Sequence, residues 1–535
     1  MSKGNESPVL DLPDGSLWTD APFREKLEKD CLPGFLAKAR WFPVKLASKI
    51  RPRIKAFLPF AGAGREATFL VIVQTGASGF YVLPMRADWP ASSHKYRKPI
   101  VARLRQGNQE GILHDVAADE RFIRRLLHHL RNGGSMDATD WSLAFEPTSK
   151  MTAFPDGDLS RVRPIEGEQS NSTSLIDQTY VVKLYRHIEP GRNPEIEMGR
   201  FLTEKVDFEY APALLGHVEA VHGESHYALA VVHAFVPNRG DAWTWSVDRI
   251  QIYLDAIRVG SGARDTALTV RRDYLQWVRR MGCRVAEMHL ALASRADIDA
   301  FEPEPITEID VAFWLEGLLV RASRVFEDIE SQRSGSDLDD SLVKTFLQHR
   351  EALPRLAKSL LRTCVGRCQI RHHGDLHLGQ ILVAEDDAVI IDFEGEPKRP
   401  MEERRRRAPA ARDVAGVIRS LDYAAMAVRS RNEGEDKLPL ASLRALMAWR
   451  DQSIESFLSG YRDAIGNSAL WPESAEHAQA MLDFFLLEKA LYEVEYELAY
   501  RPSWLAVPLR GVLQLLQETK LIATAEASCQ IPSHL

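Results

Sequence analysis

The tightest constraint on how this chain folds lies between Arg371 and Pro397, in the stretch RHHGDLHLGQILVAEDDAVIIDFEGEP. Two apolar runs, Ile381-Leu382-Val383 and Ala388-Val389-Ile390-Ile391, flank the acidic turn Glu385-Asp386-Asp387, which is the pattern of a buried β-hairpin. Polar chemistry stands at both ends. His373-Gly374-Asp375 and Gln380 precede the first strand, and Asp392 follows the second. A hairpin returns the chain to where it started, so it presents Gln380 and Asp392 on one side. An amide carbonyl and a carboxylate suit Mg²⁺, a hard cation that takes oxygen ligands and keeps some of its waters. Asp375, a carboxylate on a rigid turn, suits acceptance of a proton from an attacking hydroxyl. The plainer reading makes these Asp and His residues turn formers and solvated strand ends. It is disfavoured because residue type, order and three spacings agree at once.

The offsets themselves name a chemistry. Asp375 lies two residues after His373 and five before Gln380, as in the phosphoryl-transfer loop H-R-D-x-x-x-x-N with Gln for Asn, and Asp392-Phe393-Glu394 stands where D-F-G would stand. Such a site needs a lysine on an upstream strand. Thr179-Tyr-Val-Val-Lys-Leu-Tyr185, rich in β-branched and aromatic residues, supplies Lys183. Asn193-Pro194 then reads as a helix start, and either Glu195 or Glu197 is placed to pair with the lysine; Glu197 is favoured. No G-x-G-x-x-G precedes Lys183. The polar segment Glu166 to Thr173 takes that place, with Ser170, Asn171, Ser172 and backbone N–H groups expected to cradle phosphate. ATP and Mg²⁺ are therefore the expected cofactors.

At 535 residues the chain is too long for one core. Strand signals at Thr68–Val73 and Phe80–Leu83, then a basic amphipathic helix from Glu120 to His129, predict an α+β module. Asn132-Gly-Gly-Ser-Met-Asp137 reads as a linker. A hairpin-and-helix region follows, then a hinge at Asn238-Arg-Gly-Asp241 and a mainly helical remainder. The expected division is a cap domain over 1–148, an N-lobe over 149–237 and a C-lobe over 238–535. In the C-lobe, Tyr274, Val278, Met281, Val285, Met288 and Leu292 mark one stripe of a long helix, and His289 beside it reads as a structural histidine. Cys364 and Cys368 are expected to share a helix face as small core residues.

A net charge of −7 argues against a general nucleic-acid binder. Five scattered cysteines argue against a disulfide framework and for a reducing compartment. No stretch approaches the ~18 apolar residues that span a membrane, and the first residues lack the apolar core of a secretion signal. A cytoplasmic protein is expected.

Taken together, Arg40-Trp-Phe42, Glu168-Gln-Ser-Asn171, Phe235-Val-Pro-Asn238, Ala286-Glu-Met-His289, His373-Gly-Asp-Leu-His-Leu-Gly-Gln380, Asp392-Phe-Glu-Gly-Glu-Pro397, Arg412-Asp-Val-Ala-Gly416 and Lys489-Ala-Leu-Tyr-Glu493 resemble the maltokinase family, a branch of the aminoglycoside-phosphotransferase-like kinases. The HGDLHLGQ and DFEGEP blocks are the specific ones, and the resemblance covers nearly the whole chain. It implies an α+β, bilobal, protein-kinase-like fold with an extra N-terminal α+β cap domain. It also implies ATP-dependent phosphorylation of maltose at the anomeric hydroxyl, giving maltose 1-phosphate for α-glucan synthesis. The chain departs from the family pattern at Pro43-Val44 and in the basic run Arg404 to Arg407.

By this resemblance Asp413 has a scaffolding role beside the catalytic loop, while His377 and Arg412 are expected to reach substrate. Lys489, Tyr492, Glu493 and Tyr496 recur at three and four residues, so they share a helix face that suits a hydroxylated ligand, with Arg501 and Trp504 just beyond. An exposed charge pair with packed aromatics explains the same spacing without a ligand. Two other functions are compatible with these residues. One is phosphorylation of another free sugar such as glucosamine. The other is a catalytically silent ATP-binding module that regulates a partner such as a trehalose synthase.

Overall fold

A computed structural model describes residues 7–43, 51–76, 79–89, 99–153, 161–165, 170–332, 340–432 and 438–529. The chain divides into two compact units, Met1–Pro237 and Asn238–Leu535.

The first unit holds two seven-stranded sheets. In the first, β1 (Val9–Leu12), β5 (Ile100–Gln106), β6 (Gln109–Asp115), β4 (Gly79–Asp88), β3 (Thr68–Thr75) and β2 (Pro52–Ala61) lie side by side in that order. In the second the order is β7 (Gly134–Ala138), β8 (Trp141–Pro147), β13 (Leu214–His222), β14 (Ser225–Ala234), β11 (Tyr180–Tyr185), β10 (Asn171–Ile176) and β9 (Val162–Pro164). Between the sheets in sequence runs helix α1 (Glu120–Asn132). Its N-terminus is capped by Asp119, whose carboxylate accepts from the N–H groups of Arg121 and Phe122.

The Asn132–Asp137 segment is not a linker. Asn132 closes α1, and Gly134 to Ala138 form β7, hydrogen-bonded to β8. Gly and Ser are poor strand formers alone, but pairing with the apolar strand Trp141-Ser-Leu-Ala-Phe overrides that local preference. One apolar cluster takes Leu58, Phe60, Leu70, Ile72 and Val82 from the first sheet together with Leu143, Phe145, Val182 and Val231 from the second. The short strand β12 (His187–Ile188), just past β11, pairs with β4 of the first sheet. Residues 1–237 therefore form one compact unit around a shared core.

The second unit is mainly helical. Its long helix α3 (Arg264–Leu292) buries the whole stripe Tyr274, Val278, Met281, Val285, Met288 and Leu292. It packs on α6 (Leu440–Ile465), where the backbones all but touch. A Cβ on Gly282 would come within 2.1 Å of the Phe457 carbonyl oxygen, and one on Gly460 within 1.9 Å of that of Arg279. Helices α4 (Glu308–Gln332), α5 (Ala411–Asn432) and α7 (Ala475–Tyr500) follow, and the hairpin Ile381–Ala384/Asp387–Ile390 packs on α3, whose Trp277 Nε1 donates to the Asp387 carbonyl at 3.2 Å. Cys364 and Cys368 do not share a helix: the helix Ala352–Leu360 ends first, Cys364 lies buried in the following turns, and Cys368 opens a two-residue strand. Among the described residues, no helix is long and apolar enough to cross a membrane.

Candidate active site

In the first unit, β11 runs between β10 and β14, so Lys183 sits mid-sheet and nearly buried. Its Nζ donates to Glu195 Oε2 at 2.9 Å. Glu195 stands in the first turn of α2 (Pro194–Arg200). The side chain of Asn193 caps that turn, and Pro194 needs no partner for a missing N–H. The pairing corrects the expectation for Glu197. Residues two apart on a helix point about 200° away from each other, and Glu195 is the one turned onto the sheet. It also accepts from the Tyr185 hydroxyl and from His233 Nε2 at 3.2 Å. Burial works to raise its carboxyl, but Lys183, His233 and Tyr185 outweigh that and hold it well below the usual carboxylate range.

The segment expected to cover phosphate is described from Ser170 onward; Glu166 to Gln169 lie outside the described residues. Ser170 is exposed, and Asn171 and Ser172 open β10. Ser172 Oγ accepts from Arg186 Nε at 2.7 Å, which leaves its O–H free to donate elsewhere. Arg186 is buried; it also reaches Asp115 of β6 at 2.8 Å and lies over the Trp41 ring at 4.9 Å.

In the second unit, the loop holding Asp375 is fastened from below by Asp413. Its two carboxylate oxygens accept from the backbone N–H groups of His373 at 2.7 Å and Gly374 at 2.9 Å. His289 lies 3.2 Å from the same carboxylate and is held on its other side by the Tyr461 hydroxyl at 2.9 Å, which makes it structural. The His373 ring reaches the Ile391 carbonyl at 2.8 Å and lies against Phe393, tying the loop to the far end of the hairpin. Helix α5 approaches so closely that a Cβ on Gly416 would lie 2.3 Å from the Leu376 carbonyl oxygen.

Across the hairpin, Gln380 Nε2 donates to Asp392 Oδ2 at 2.8 Å. The two side chains expected to hold Mg²⁺ are therefore neighbours, and Asp392 takes a left-handed backbone conformation (φ 67°). An amide oxygen beside a carboxylate fits a magnesium ion completed by phosphate oxygens and water. Bound there, the ion would screen phosphate charge.

Asp375 opens into a cleft shared with Glu396, Arg399, Arg412, Phe485, Glu488, Lys489, Tyr492 and Arg321. Lys489 Nζ contacts Asp375 Oδ1 at 3.1 Å and lies over the Tyr492 ring at 4.9 Å. Burial works to raise the Asp375 carboxyl, but Lys489, His377 and His373 more than cancel it and hold the group ionised, below the usual carboxylate range. Arg412 is also in the cleft, donating to Glu488 at 2.9 Å, and Arg399 bridges Glu488 at 3.1 Å and Glu396 at 2.6 Å.

The remaining expected substrate residues are held by other partners, His377 still beside Asp375. His377 Nδ1 accepts from the Gly379 N–H at 3.0 Å and so shapes the loop. Glu493 is bound by Arg419 at 2.9 Å. Arg501 pairs with Glu497 at 2.7 Å, and Trp504 stacks parallel to Tyr423. The physical reason is helix rotation. At about 100° per residue, the face of α7 turned to Asp375 is Phe485, Glu488, Lys489 and Tyr492, which leaves Glu493 about a quarter-turn away. That i, i+3, i+4, i+7 pattern was present in the sequence, and reading it one turn earlier finds Glu488. Arg399 and Glu396 carry no such periodic signal.

No family model matches the chain. A glucosamine kinase of Streptacidiphilus jiangxiensis is 29% identical over 403 residues, spanning 72% of this chain and 79% of that one. A glucosamine kinase of Mycolicibacterium smegmatis (strain ATCC 700084 / mc(2)155) is 28% identical over 358 residues, spanning 66% and 80%. Among solved structures, a glucosamine kinase in complex with glucosamine, ADP and inorganic phosphate superposes with a TM-score of 0.61 at 21% identity, covering 92% of this chain and 99% of that one. A glucosamine kinase in crystal form B gives 0.60 at 22% identity, covering 87% and 94%. The fold is the mixed α+β kinase fold of these glucosamine kinase structures.

Proposed function

We propose that this kinase-fold protein, a phosphotransferase with an alcohol group as acceptor, moves the γ-phosphoryl of ATP to a free sugar, with glucosamine the first acceptor to test. The observation that carries the reading is Asp375: an ionised carboxylate in a polar cleft, on a loop fixed by Asp413, with a cation at one of its oxygens. In this reading Asp375 takes the proton of the attacking hydroxyl, and Gln380 and Asp392 hold Mg²⁺. Lys183, set by Glu195, contacts the nucleotide phosphates beneath Ser170, Asn171 and Ser172. Arg412, Lys489 and Tyr492 bound the acceptor. The two glucosamine kinase relatives support an amino sugar as the acceptor.

Maltose, phosphorylated at its anomeric hydroxyl, is the second reading. A recess adjoining the cleft is lined by Tyr492, Tyr496 and Tyr500, with Lys398 about 5 to 6 Å above each ring, and aromatic faces of this kind suit a second pyranose.

An ATP-coupled assay over glucosamine, maltose, glucose, maltotriose and aminoglycosides, with phosphorus NMR of the product, separates the two. Turnover on glucosamine alone supports the first reading, and an anomeric phosphate on maltose supports the second. In either case Asp375→Asn is expected to lower kcat by at least ~10²-fold with an unchanged melting temperature. Undiminished turnover in that variant rejects Asp375 as the base. Nucleotide binding with no transfer to any sugar would instead favour a silent module acting on a partner such as a trehalose synthase.

A further inference from the structure

A second constellation lies in the first unit, on strands that the phosphoryl-transfer reading does not use. His217 of β13 and Glu146 of β8 are direct cross-strand partners, and Glu219 follows His217 by two residues, so the three side chains rise from the same face of the sheet. One ligand atom from each lies within 4.8 Å of the others. His226, entering β14, brings Nδ1 to 2.9 Å from Glu219 Oε2.

His217 is the unusual member. It is 3% exposed, its Nδ1 is buried with no hydrogen-bond partner, and its Nε2 faces Glu146 Oε2 at 3.6 Å, beyond hydrogen-bond reach. A buried imidazole that makes no hydrogen bond forgoes roughly 1–3 kcal/mol, and buried polar groups of this kind call for an explanation. Metal coordination by Nε2, the nitrogen that faces Glu146, is one, because it uses the lone pair directly.

We propose that Glu146, His217 and Glu219, with a water molecule in the fourth position, form a binding site for a zinc-class divalent cation. One imidazole nitrogen and two carboxylate oxygens, with an open position for water, make a zinc set, and Mg²⁺, which takes oxygen ligands, is not its occupant. Ligand atoms around a four-coordinate zinc lie roughly 3.3–3.5 Å apart, so the set closes by a small movement. Glu146 is the side chain free to make it, being 45% exposed. The present partner of Glu146 Oε2 is Arg200 at 2.7 Å, at the end of α2, which also holds Glu204 at 3.1 Å. Occupancy therefore draws Glu146 off Arg200 and loosens one tether of the helix that carries Glu195. The site is independent of which sugar is the acceptor.

The test is equilibrium dialysis of the full-length protein against Zn²⁺ with metal analysis, and Co²⁺ substitution read by visible absorption. Both are run on an Asp392→Asn background so that the expected catalytic cation is not counted. The proposal expects one retained Zn²⁺ and the intense visible bands of four-coordinate Co²⁺. It expects affinity to fall at least ~10-fold in His217→Ala and in Glu146→Gln. Glu146 is solvent-accessible, so its variant stays informative even if the buried His217→Ala fails to fold. No retained zinc in the parent, or zinc retained undiminished in Glu146→Gln, overturns the site.

Discussion

At the scale of single residues, charges in this protein are placed by their neighbours. Lys489 is the clearest case, because it sets the ionisation of Asp375. A carboxyl held below its ordinary range stays ionised as pH falls through that range, so the acid limb of kcat/KM should lie below about pH 4. Lys489→Met removes the main counter-charge and leaves burial to act, so the limb should move upward in pH; a pH–rate profile with an unmoved limb would refute the coupling. Glu195 offers a second test. Glu195→Gln should raise KM for ATP or lower kcat by ~10-fold or more, whereas Glu197→Gln should stay within about twofold, by steady-state kinetics. The sequence offered both glutamates at the helix start. The choice needed the rotation of α2 against β11, which no local spacing records. Asp375, Gln380 and Asp392, in contrast, were legible because one hairpin turn links them and sequence distance fixes their spatial distance.

At the scale of elements, two glycines mark where backbone must meet backbone. Gly416 of α5 faces the Leu376 carbonyl in the loop carrying Asp375, while Gly460 of α6 faces that of Arg279 in α3. Gly416→Ala should displace the loop and lower kcat by more than it lowers stability. Gly460→Ala should act on stability first, by about 1–3 kcal/mol as overpacking costs, with kcat of the remaining folded protein unchanged. Thermal melts alongside initial rates separate the two, and equal kcat losses in both would remove the distinction. Helices here were readable from their periodic stripes, as with Tyr274 to Leu292. β7 was not, since a Gly-Ser strand is defined by its neighbour Trp141–Pro147 more than by its own residues. On α7, Lys489 and Tyr492 line the cleft that holds Asp375, whereas Arg419 claims Glu493 from a helix about seventy residues away in sequence.

At the scale of the molecule, the first unit is one body built from two sheets, and Arg186 is the residue where they join. It holds Ser172 of β10, Asp115 of β6 and the ring of Trp41, while its carbonyl accepts from Val82 of β4. Arg186→Met strands the buried Asp115 carboxylate, which should cost about 3–5 kcal/mol and raise KM for ATP through Ser172. Asp115→Asn introduced into the same chain should recover part of the stability, and a variant with unchanged melting temperature would show that the junction does not depend on this charge. The long-range pairing that makes residues 1–237 one unit had no signature in local composition.

The Lys489–Asp375 contact has a further consequence for ATP turnover without an acceptor. While no sugar is present, the ammonium occupies one oxygen of the only base the reading supplies, so a water molecule arriving there finds it already engaged. If that contact restrains Asp375, Lys489→Met should raise acceptor-free ATP hydrolysis relative to transfer, and an unchanged ratio would show that it does not.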